Sequence, residues 1–581
     1  MRAGLRAGRH LVIPAMVVAL LAVCEPAASR GYTVEDLVQQ ESFGQVAFDP
    51  TGRWLVYERR LSRTKAGPFG VQTRHEVVEN QLRVVDTARG DAPSRALVAG
   101  DPVGVTMGPF SPDGRRLAVY GFRDGRWILG VVTVASGRVR WLGIDAEFPY
   151  RERTVQWRSP TELIAIARPV GSLPLIVRIN STGPRELPEL WRRMARGEPS
   201  VTAIGSGRYL GVRPRKPSSA LMRVNVVSGE AVRLASGEIK DLEVAPGGRH
   251  VAFTATAEDV RLSANRPVHG LNGTAWQHLR LGLVDLETGT VIRPCEGCDV
   301  AGQLLSWSPS GRQLLVFARR DAQLWDRAEV LRITADGRVG ALTLGNLTPA
   351  LHMRPESTRA TWLGETPAVL ARRGDREDWV AVRNGVASVL TADLRRVPDR
   401  LTMSGDGAIG FADGQAWWLT PDGAHRVGGA ARLRAAPTRP LWEARLVSNP
   451  PAPTSDLAAE SHADGETSAV RLWPQGAGPA VALPDPASRL AAAASAGGDL
   501  AALGADPNGV VRLELWAGGR WRVVDRVNRR QHDVDPLRVV AVRDPDGQAH
   551  PRGGPLSSWL YLPNLAPGVP PPPLVVVPYP G

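Results

Sequence analysis

The segments AFDPTGRWLVY at 47–57, PFSPDGRRLAVY at 109–120 and SWSPSGRQLLVF at 306–317 are copies of one phrase, and EVAPGGRHVAF at 243–253 is a variant. Each copy joins an apolar residue, a turn with proline and glycine, a basic residue and a short apolar strand. In such a turn proline presets φ and glycine takes the strained position. The phrase therefore predicts a recurring β-hairpin. Weaker copies occur at five further places, near Trp157, Gly205, Trp362, Ser404 and Ser495.

A second phrase alternates with the first and consists of two strands around a small polar turn that ends in glycine. Its copies are LGVVTVASGRVRWL at 129–142, LMRVNVVSGEAVRLA at 221–235 and LGLVDLETGTVIRP at 281–294. Together the two phrases make a four-stranded antiparallel unit, and such units stacked radially form a β-propeller. All copies together indicate nine or ten units, but propellers usually have about four to eight blades. We therefore expect a mainly β protein with a seven- or eight-bladed propeller.

The composition is that of a globular protein of 581 residues, with 43% hydrophobic and 22% charged residues. Three cysteines exclude a disulfide framework. The net charge of +13 comes from 71 basic residues, of which Lys65, Lys216 and Lys240 are the lysines and the rest are arginines. The arginines are scattered and form no basic stripe with interleaved aromatic residues. We therefore expect no nucleic-acid partner.

The first 29 residues have the pattern of a secretory signal. A basic start is followed by an apolar run at 11–23 and by small residues at 27–29. The pattern predicts export to the periplasm or the extracellular space. Cys24 leaves two interpretations open, a lipid anchor at this cysteine or a plain cleaved signal. No second segment of membrane length follows, so we expect no membrane span.

Both ends of the mature chain carry features outside the repeats. TVEDLVQQ at 33–40 predicts a short helix, with Thr33 as its N-cap. PGVPPPP at 567–573 is a stiff spacer, and the apolar run Leu574 to Val577 predicts a buried strand. The sequence ends four residues later, which leads us to expect a truncated domain. The expected domains are a signal peptide at 1–29, a helical lead-in at 30–42, the propeller at 43–535 and the start of a further domain at 536–581.

The segments at 34–57 and 556–581 together resemble the prolyl oligopeptidase family of serine peptidases. The resemblance implies a propeller followed by an α/β-hydrolase catalytic domain, whose sheet would open with a strand like Trp559 to Leu562. It also implies hydrolysis of peptide or isopeptide bonds in small peptides by a Ser-His-Asp triad, without a cofactor.

Tyr579 in VVPYPG stands where many members of this family have a tyrosine that donates to the oxyanion of the tetrahedral intermediate. The alternative is a tyrosine at a strand end without a role. The nucleophile motif G-x-S-x-G does not occur in the sequence, and in the family all three triad residues lie beyond the point that corresponds to Gly581. The alternative function is therefore a non-catalytic exported propeller that binds a protein partner.

Three other motifs favour structural interpretations, so no metal site is expected. Cys295 and Cys298 form a C-x-x-C without a second ligand pair, which favours a loop disulfide or inert thiols. The segment 544–547, DPDG, lacks the later ligands of a calcium loop and is predicted to be a turn. The segment His532 to Asp535 is predicted to be a solvated loop rather than part of a metal site.

Overall fold

The protein is described by a computed structural model that divides into two compact units. The first unit comprises residues 1–34, 507–509 and 530–581, and the second comprises 35–506 and 510–529. The structure describes residues 30–65, 79–100, 102–149, 152–174, 177, 187–198, 218–260, 277–302, 306–321, 323–353, 356–399, 401–404, 406–413, 415–427, 432–434, 456–461, 468–473, 480–484, 489–491, 498–535, 538–543, 557–562, 568, 570–571 and 573–575.

The described residues of the second unit form nine antiparallel sheets of four strands, numbered here in chain order. The strands of sheet 1 are Ser42–Phe48, Trp54–Arg60, Asn80–Asp86 and Arg95–Ala96. Those of sheet 2 are Val105–Phe110, Arg116–Arg123, Arg126–Thr133 and Arg138–Asp145. Those of sheet 3 are Val155–Ser159, Glu162–Ala167, Ser219–Asn225 and the first half of Ala231–Val244. The second half of that long strand begins sheet 4, which continues with His250–Asp259, Gln277–Asp285 and Val291–Ile292.

Sheets 5 and 6 each have a first strand in two pieces. The first strand of sheet 5 consists of Cys298–Val300 and Ser306–Trp307, and the other strands are Gln313–Arg320, Glu329–Thr334 and Val339–Ala341. The first strand of sheet 6 consists of Thr348–Pro349 and Ala360–Leu363, and the other strands are Thr366–Arg373, Arg376–Arg383 and Val386–Val389. A small hairpin, His352–Met353 with Glu356–Ser357, interrupts the first strand of sheet 6.

Sheets 7 to 9 have the same antiparallel order. The strands of sheet 7 are Leu401–Ser404, Gly407–Ala412, Gln415–Thr420 and Gly423–Val427. Those of sheet 8 are Arg432–Arg434, Asp456–Ser461, Ser468–Trp473 and Ala480–Ala482. Those of sheet 9 are Arg489–Leu490, Leu500–Ala505, Val511–Ala517 and Arg520–Val527. The described helices are Val34–Val38, residues 187–195, and two 3-10 turns, Trp325–Arg327 and Arg529–Asp533. The helix predicted within 33–40 is confirmed. No helix in the described part of the chain is long and apolar enough to cross a membrane.

The repeated turn folds as its residues predict. In the first copy, Asp49 accepts hydrogen bonds from the backbone N–H of Thr51, at 3.0 Å, and of Trp54, at 2.6 Å. Gly114 of the second copy has a φ of 69°, and a β-carbon there would collide with the Asp49 carboxylate. Only glycine fits this position without strain. The turns of sheets 1 and 2 are therefore held in contact with each other.

The sheets bury their faces against their neighbours, and the last sheet packs against the first. Apolar clusters join successive sheets from sheet 1 to sheet 7. Strand Gln415–Thr420 of sheet 7 lies beside Arg432–Arg434 of sheet 8, and Val481 of sheet 8 packs with Leu500 of sheet 9. Tyr57 of sheet 1 lies in one cluster with residues of sheet 9. The sheets therefore form a closed ring.

The prediction of a mainly β protein with a propeller is confirmed, but the described residues hold nine sheets rather than seven or eight. The lower number rested on discounting the weak copies of the hairpin phrase. Those near Trp157, Trp362 and Ser404 are genuine hairpins at the start of sheets 3, 6 and 7. Those near Gly205 and Ser495 lie outside the described residues. The weak copies were discounted because propellers usually have about four to eight blades, but strand pairing and the neighbouring sheets hold these hairpins.

Tryptophans join the first strands of successive sheets, as the prediction of packing between blades requires. The indole N–H of Trp157 donates to the Pro109 carbonyl at 2.8 Å, and that of Trp307 donates to the Glu243 carbonyl at 3.0 Å. Trp362 donates to the Ser306 carbonyl at 3.1 Å. Each bond runs from one sheet to the sheet before it. These side chains therefore combine apolar burial with a hydrogen bond that sets the height of one sheet against the next.

The first unit contains a hairpin made of Arg538–Arg543 and Ser557–Leu562 in antiparallel register. The predicted strand Trp559 to Leu562 is part of it. The buried strand predicted from Leu574 to Val577 is not found where it can be checked. Leu574 and Val575 are 74% and 79% exposed and belong to no strand, because no strand among the described residues lies beside them. Val576 and Val577 lie outside the described residues.

We predict that Trp307→Phe lowers the free energy of unfolding by about 2–4 kcal/mol, because it leaves a cavity and an unpaired Glu243 carbonyl. Urea unfolding followed by circular dichroism measures the change. Trp191→Phe is the matched control, since Trp191 is 62% exposed and its replacement should change stability by less than about 0.5 kcal/mol. Equal effects of the two substitutions would show that the tie between sheets 4 and 5 contributes nothing.

Candidate functional site

Several long connections of the ring emerge on one face. In each antiparallel sheet the second strand ends, and the third begins, at the end where the first strand starts. This connection has two residues in sheet 2, Asp124 and Gly125, but spans 61–79, 168–218, 260–276 and 321–328 in sheets 1, 3, 4 and 5. We name the face that carries these connections the insertion face. The opposite face carries the tight turns of the repeated phrase, together with the longer connections 435–455 of sheet 8 and 491–499 of sheet 9.

The chain also enters and leaves the ring at the insertion face. Glu41 precedes the first strand of sheet 1, and Asn528 follows the last strand of sheet 9. The Asn528 side chain accepts from the Glu41 backbone N–H at 2.8 Å and donates to the Glu41 carbonyl at 3.0 Å. Asn528 has a φ of 58°, in the left-handed region that asparagine tolerates better than most residues. This reciprocal pair joins the two ends of the ring.

A cluster of charged side chains lies on this face between sheets 4 and 5. Asp299, from the first strand of sheet 5, accepts from Arg319 Nε at 3.0 Å and from Nη2 at 2.8 Å. Its other oxygen accepts from the Leu279 backbone N–H at 3.0 Å. His278 Nδ1 lies 3.2 Å from Asp299 Oδ2 and 3.6 Å from Asp321 Oδ1. We name His278, Arg280, Asp299, Arg319 and Asp321 the His278 cluster.

Burial and pairing give the cluster its electrostatic character. The side chains of Arg319 and Asp299 are only 2% and 3% exposed, and the Arg319 guanidinium lies 4.9 Å from the Trp325 ring centre. Arg280 binds the Asp321 carboxylate through both of its terminal nitrogens, at 2.7 and 2.9 Å. These hydrogen bonds lower the pKa of Asp321. Arginine therefore engages both carboxylates of the cluster.

The His278 cluster places an imidazole between two carboxylates, which is an arrangement that can fix the orientation of the ring. The arginine and backbone donors already occupy the carboxylate oxygens, which leaves little capacity for a cation. In keeping with this, no group of histidine, cysteine and acidic side chains in the described ranges has the arrangement of a metal site. The geometry fits a charged framework that fixes the strand ends on the insertion face.

The C-x-x-C motif lies at the edge of the same cluster. Cys295 and Cys298 form a disulfide, which is the first of the two interpretations left open by the sequence. Arg280 Nη1 donates to the Cys298 carbonyl at 2.6 Å, and the Asp321 backbone N–H donates to the Gly297 carbonyl at 3.1 Å. The disulfide loop is therefore bonded to two members of the His278 cluster.

A second charged group lies where sheet 9 meets sheet 1. Arg59 contacts Glu41 at 2.8 Å and Asp525 at 3.5 Å, and Lys65 contacts Glu41 at 3.0 Å. Although burial acts in the opposite direction, the hydrogen bonds from Arg59 and Lys65 lower the pKa of Glu41. Burial, with the Asp525 charge, raises the pKa of Tyr57, whose hydroxyl donates to Asp525 at 2.9 Å. These ion pairs reinforce the closure of the ring.

The other residues singled out from the sequence take no part in these clusters. His532 and Asp533 lie in the 3-10 turn Arg529–Asp533, and Arg30 pairs with Asp533 at 3.2 Å. The segment His532 to Asp535 is therefore partly a 3-10 turn, with Val534 buried, rather than the solvated loop predicted. Tyr579, Cys24 and the segment 544–547 lie outside the described residues. The proposed oxyanion donor, the lipid anchor and the predicted turn therefore stay predictions.

Sequence reasoning missed the His278 cluster because its members are far apart in the chain. His278 and Asp299 belong to different sheets, and Arg319 returns to the same place only through strand pairing. A local signal did exist, since Asp299 is a charged residue in the middle of a three-residue buried strand, Cys298–Val300. A buried charge of this kind requires a partner, but the sequence does not indicate which of the 71 basic residues provides it.

Comparison with solved structures finds similar folds at low sequence identity. Pyrococcus horikoshii acylaminoacyl peptidase matches with 9% identity and a TM-score of 0.40 over 92% of this chain and 59% of that one. A prolyl endopeptidase matches with 10% identity and a TM-score of 0.37 over 90% of this chain and 55% of that one. The β-propeller domain of the Trilobed protease from Pyrococcus furiosus matches with 10% identity and a TM-score of 0.31 over 67% of this chain and 92% of that one.

The chain spans 59% and 55% of the length of the two peptidases it matches. Neither a protein family model nor a curated protein matches the sequence.

We predict that Asp299→Asn lowers the free energy of unfolding by about 3–5 kcal/mol, because it leaves the Arg319 guanidinium buried without a counter-charge. Chemical denaturation monitored by tryptophan fluorescence measures the loss. Asp336→Asn is the control, since Asp336 pairs with Arg338 at an exposed site and its loss should cost less than about 1 kcal/mol. If Asp299→Asn costs no more than Asp336→Asn, the cluster does not stabilise the insertion face.

We predict that Glu41→Gln reduces stability at neutral pH and that the difference from the natural protein disappears in acid. The pKa of Glu41 is lower in the folded protein than the value of 4.5 expected after unfolding, so its contribution is complete above pH 4.5. It is lost as the pH falls through the folded value. Urea unfolding of both proteins across this range measures it.

The stability difference between the natural protein and Glu58→Gln should change with pH in the opposite direction. Burial raises the pKa of Glu58, so the folded protein takes up a proton there before the unfolded chain does, and acid favours the folded form at this site. The natural protein should therefore gain stability relative to Glu58→Gln as the pH falls. A stability difference for Glu41→Gln that stays constant with pH would contradict the assignment.

Proposed function

We propose that this chain is the propeller portion, with the first strands of the catalytic domain, of an exported serine peptidase of the prolyl oligopeptidase family. The whole protein would hydrolyse peptide or isopeptide bonds of small peptides. The hairpin Arg538–Arg543 with Ser557–Leu562 carries this proposal. It follows the ninth sheet, belongs to a separate compact unit and contains the strand that the family resemblance places at the start of the hydrolase sheet.

The exposed apolar residues after the hairpin support the same proposal. Leu574 and Val575 follow a proline-rich segment and are 74% and 79% exposed. Apolar β-branched runs of this kind are typical of strands that are covered on both faces of a parallel sheet. A hydrolase sheet would provide that cover. Tyr579 would then stand at the strand end, where its hydroxyl can donate to the developing oxyanion.

In such an enzyme the ring would restrict access to the catalytic site, so that peptides enter and folded proteins do not. The insertion face suits this role, because it carries the long connections and both ends of the ring. The charged clusters between sheets 4 and 5 and between sheets 9 and 1 would keep this face rigid. A non-catalytic propeller that binds a partner has no evident use for the hairpin and the apolar run that follow the ring.

The test is to isolate the protein from its native host, measure its intact mass and treat the same sample with a fluorophosphonate probe. We expect a mass above 62.4 kDa, because the product should contain a further domain of roughly 150–250 residues. The label should lie on one serine. The label marks a serine activated by a neighbouring base.

Heat-denatured protein from the same preparation is the control, because an unfolded serine should not take the label. A native product that lacks the added domain, or one that has it and takes no label, would contradict the peptidase proposal. Either result would favour the exported binding propeller.

A further inference from the structure

The helix at 187–195 has an apolar stripe. It lies in the connection between the second and third strands of sheet 3, on the insertion face. Its apolar residues follow the spacing i, i+3, i+4 and i+7, which places them on one side of a helix: Leu187, Leu190, Trp191 and Met194. A helix with this spacing normally buries its stripe against the body of the protein.

Here the stripe faces solvent instead. The exposed fractions of Leu190, Trp191 and Met194 are 46%, 62% and 55%. These are large side chains, and leaving them in water costs free energy that burial would recover. Single exposed apolar residues are common on protein surfaces, but a continuous stripe marks a binding surface.

The other side of the helix is basic and ordered. Arg193 contacts Glu198 at 2.6 Å, Arg196 contacts Glu198 at 2.8 Å, and Arg192 contacts Glu189. These pairs hold the arginines away from the apolar stripe. The described residues 187–198 contain three arginines and two glutamates, so the helix carries a small net positive charge.

The size and shape of the stripe favour a lipid surface over a protein partner. A stable protein interface buries about 1,200–2,000 Å² in total, far more than one short convex helix can cover. An interfacial helix needs only an apolar side rich in Leu and Trp and a polar side rich in arginine. Tryptophan is favoured at the level of the lipid headgroups, and basic residues are attracted to anionic lipids.

We propose that helix 187–195 binds the surface of an anionic phospholipid membrane, with Leu190, Trp191 and Met194 inserted among the acyl chains. The arginines then face the headgroups and water. This interaction is peripheral, requires no membrane span and is independent of the proposed peptidase activity. It would hold the insertion face of the ring close to a membrane.

Vesicle co-sedimentation tests the proposal with the purified protein without the predicted signal, residues 30–581, which also lacks Cys24 and its apolar neighbours. The vesicles contain phosphatidylethanolamine with about 30% phosphatidylglycerol, and pure phosphatidylcholine vesicles serve for comparison. We expect binding to the anionic vesicles that weakens at high salt. The double variant Trp191→Ser/Met194→Ser should lower the partition coefficient by about tenfold or more.

The matched control is Val386→Ser/Val389→Ser, which removes two exposed apolar side chains, 64% and 40% exposed, from the outer strand of sheet 6. It should bind vesicles as the parent protein does. Because Trp191 and Met194 are exposed, their variant should keep the parent thermal unfolding curve, which distinguishes loss of binding from loss of folding.

Three outcomes would overturn the proposal. They are absence of vesicle binding, equal binding by the Trp191→Ser/Met194→Ser variant, and equal binding to neutral and anionic vesicles. Analytical ultracentrifugation of the same proteins tests whether a second copy of the chain covers the apolar stripe instead. A dimer that dissociates in the double variant, without any vesicle binding, would show that a second copy of the chain covers the stripe.

Discussion

The structure depends on one constraint, which is that a four-stranded sheet with two apolar faces cannot be stable alone. Each sheet of this protein covers the face of the next, so the series must close on itself or leave two apolar faces in water. Closure is achieved by Tyr57 and its neighbours in sheet 1 packing against sheet 9, and by the hydrogen bonds between Asn528 and Glu41. The polar contacts at the ring junctions follow from that requirement, because they fix how neighbouring sheets meet.

Much of this fold is encoded locally and could be predicted. The turn phrase at 109–120 contains the residues that make the hairpin, and Asp49 and Gly114 do what their types predict. The number of sheets could not be predicted in the same way. A sheet such as that starting at Leu401–Ser404 has no proline in its first turn, and its strands are held by pairing and by Trp379 and Leu390 of the sheet before it. That support acts between residues of different sheets and leaves little trace in the local sequence.

The charged clusters were beyond prediction for a related reason. Asp299 in a buried strand signals that a counter-charge is needed, but its partners His278 and Arg319 lie about 20 residues away on either side. Strand pairing and the packing of two sheets bring them together. Tyr579 illustrates the reverse case, since its proposed role comes from a resemblance over a short segment. Local motifs therefore predicted the turns well, and residues that act through tertiary contact escaped.

The two faces of the ring have different physical tasks. On one face, tight turns with glycine and proline join the first two strands of most sheets with few residues. On the insertion face, connections of very different length are tolerated because loop closure costs increase slowly with length. Long connections disturb strand ends, and buried ion pairs such as Arg319 with Asp299 keep those ends in one arrangement. A face that combines rigid strand ends with variable connections can acquire new binding elements without loss of the fold. The exposed helix at 187–195 is one such element, because it adds an apolar surface while the strands on either side of it keep their pairing.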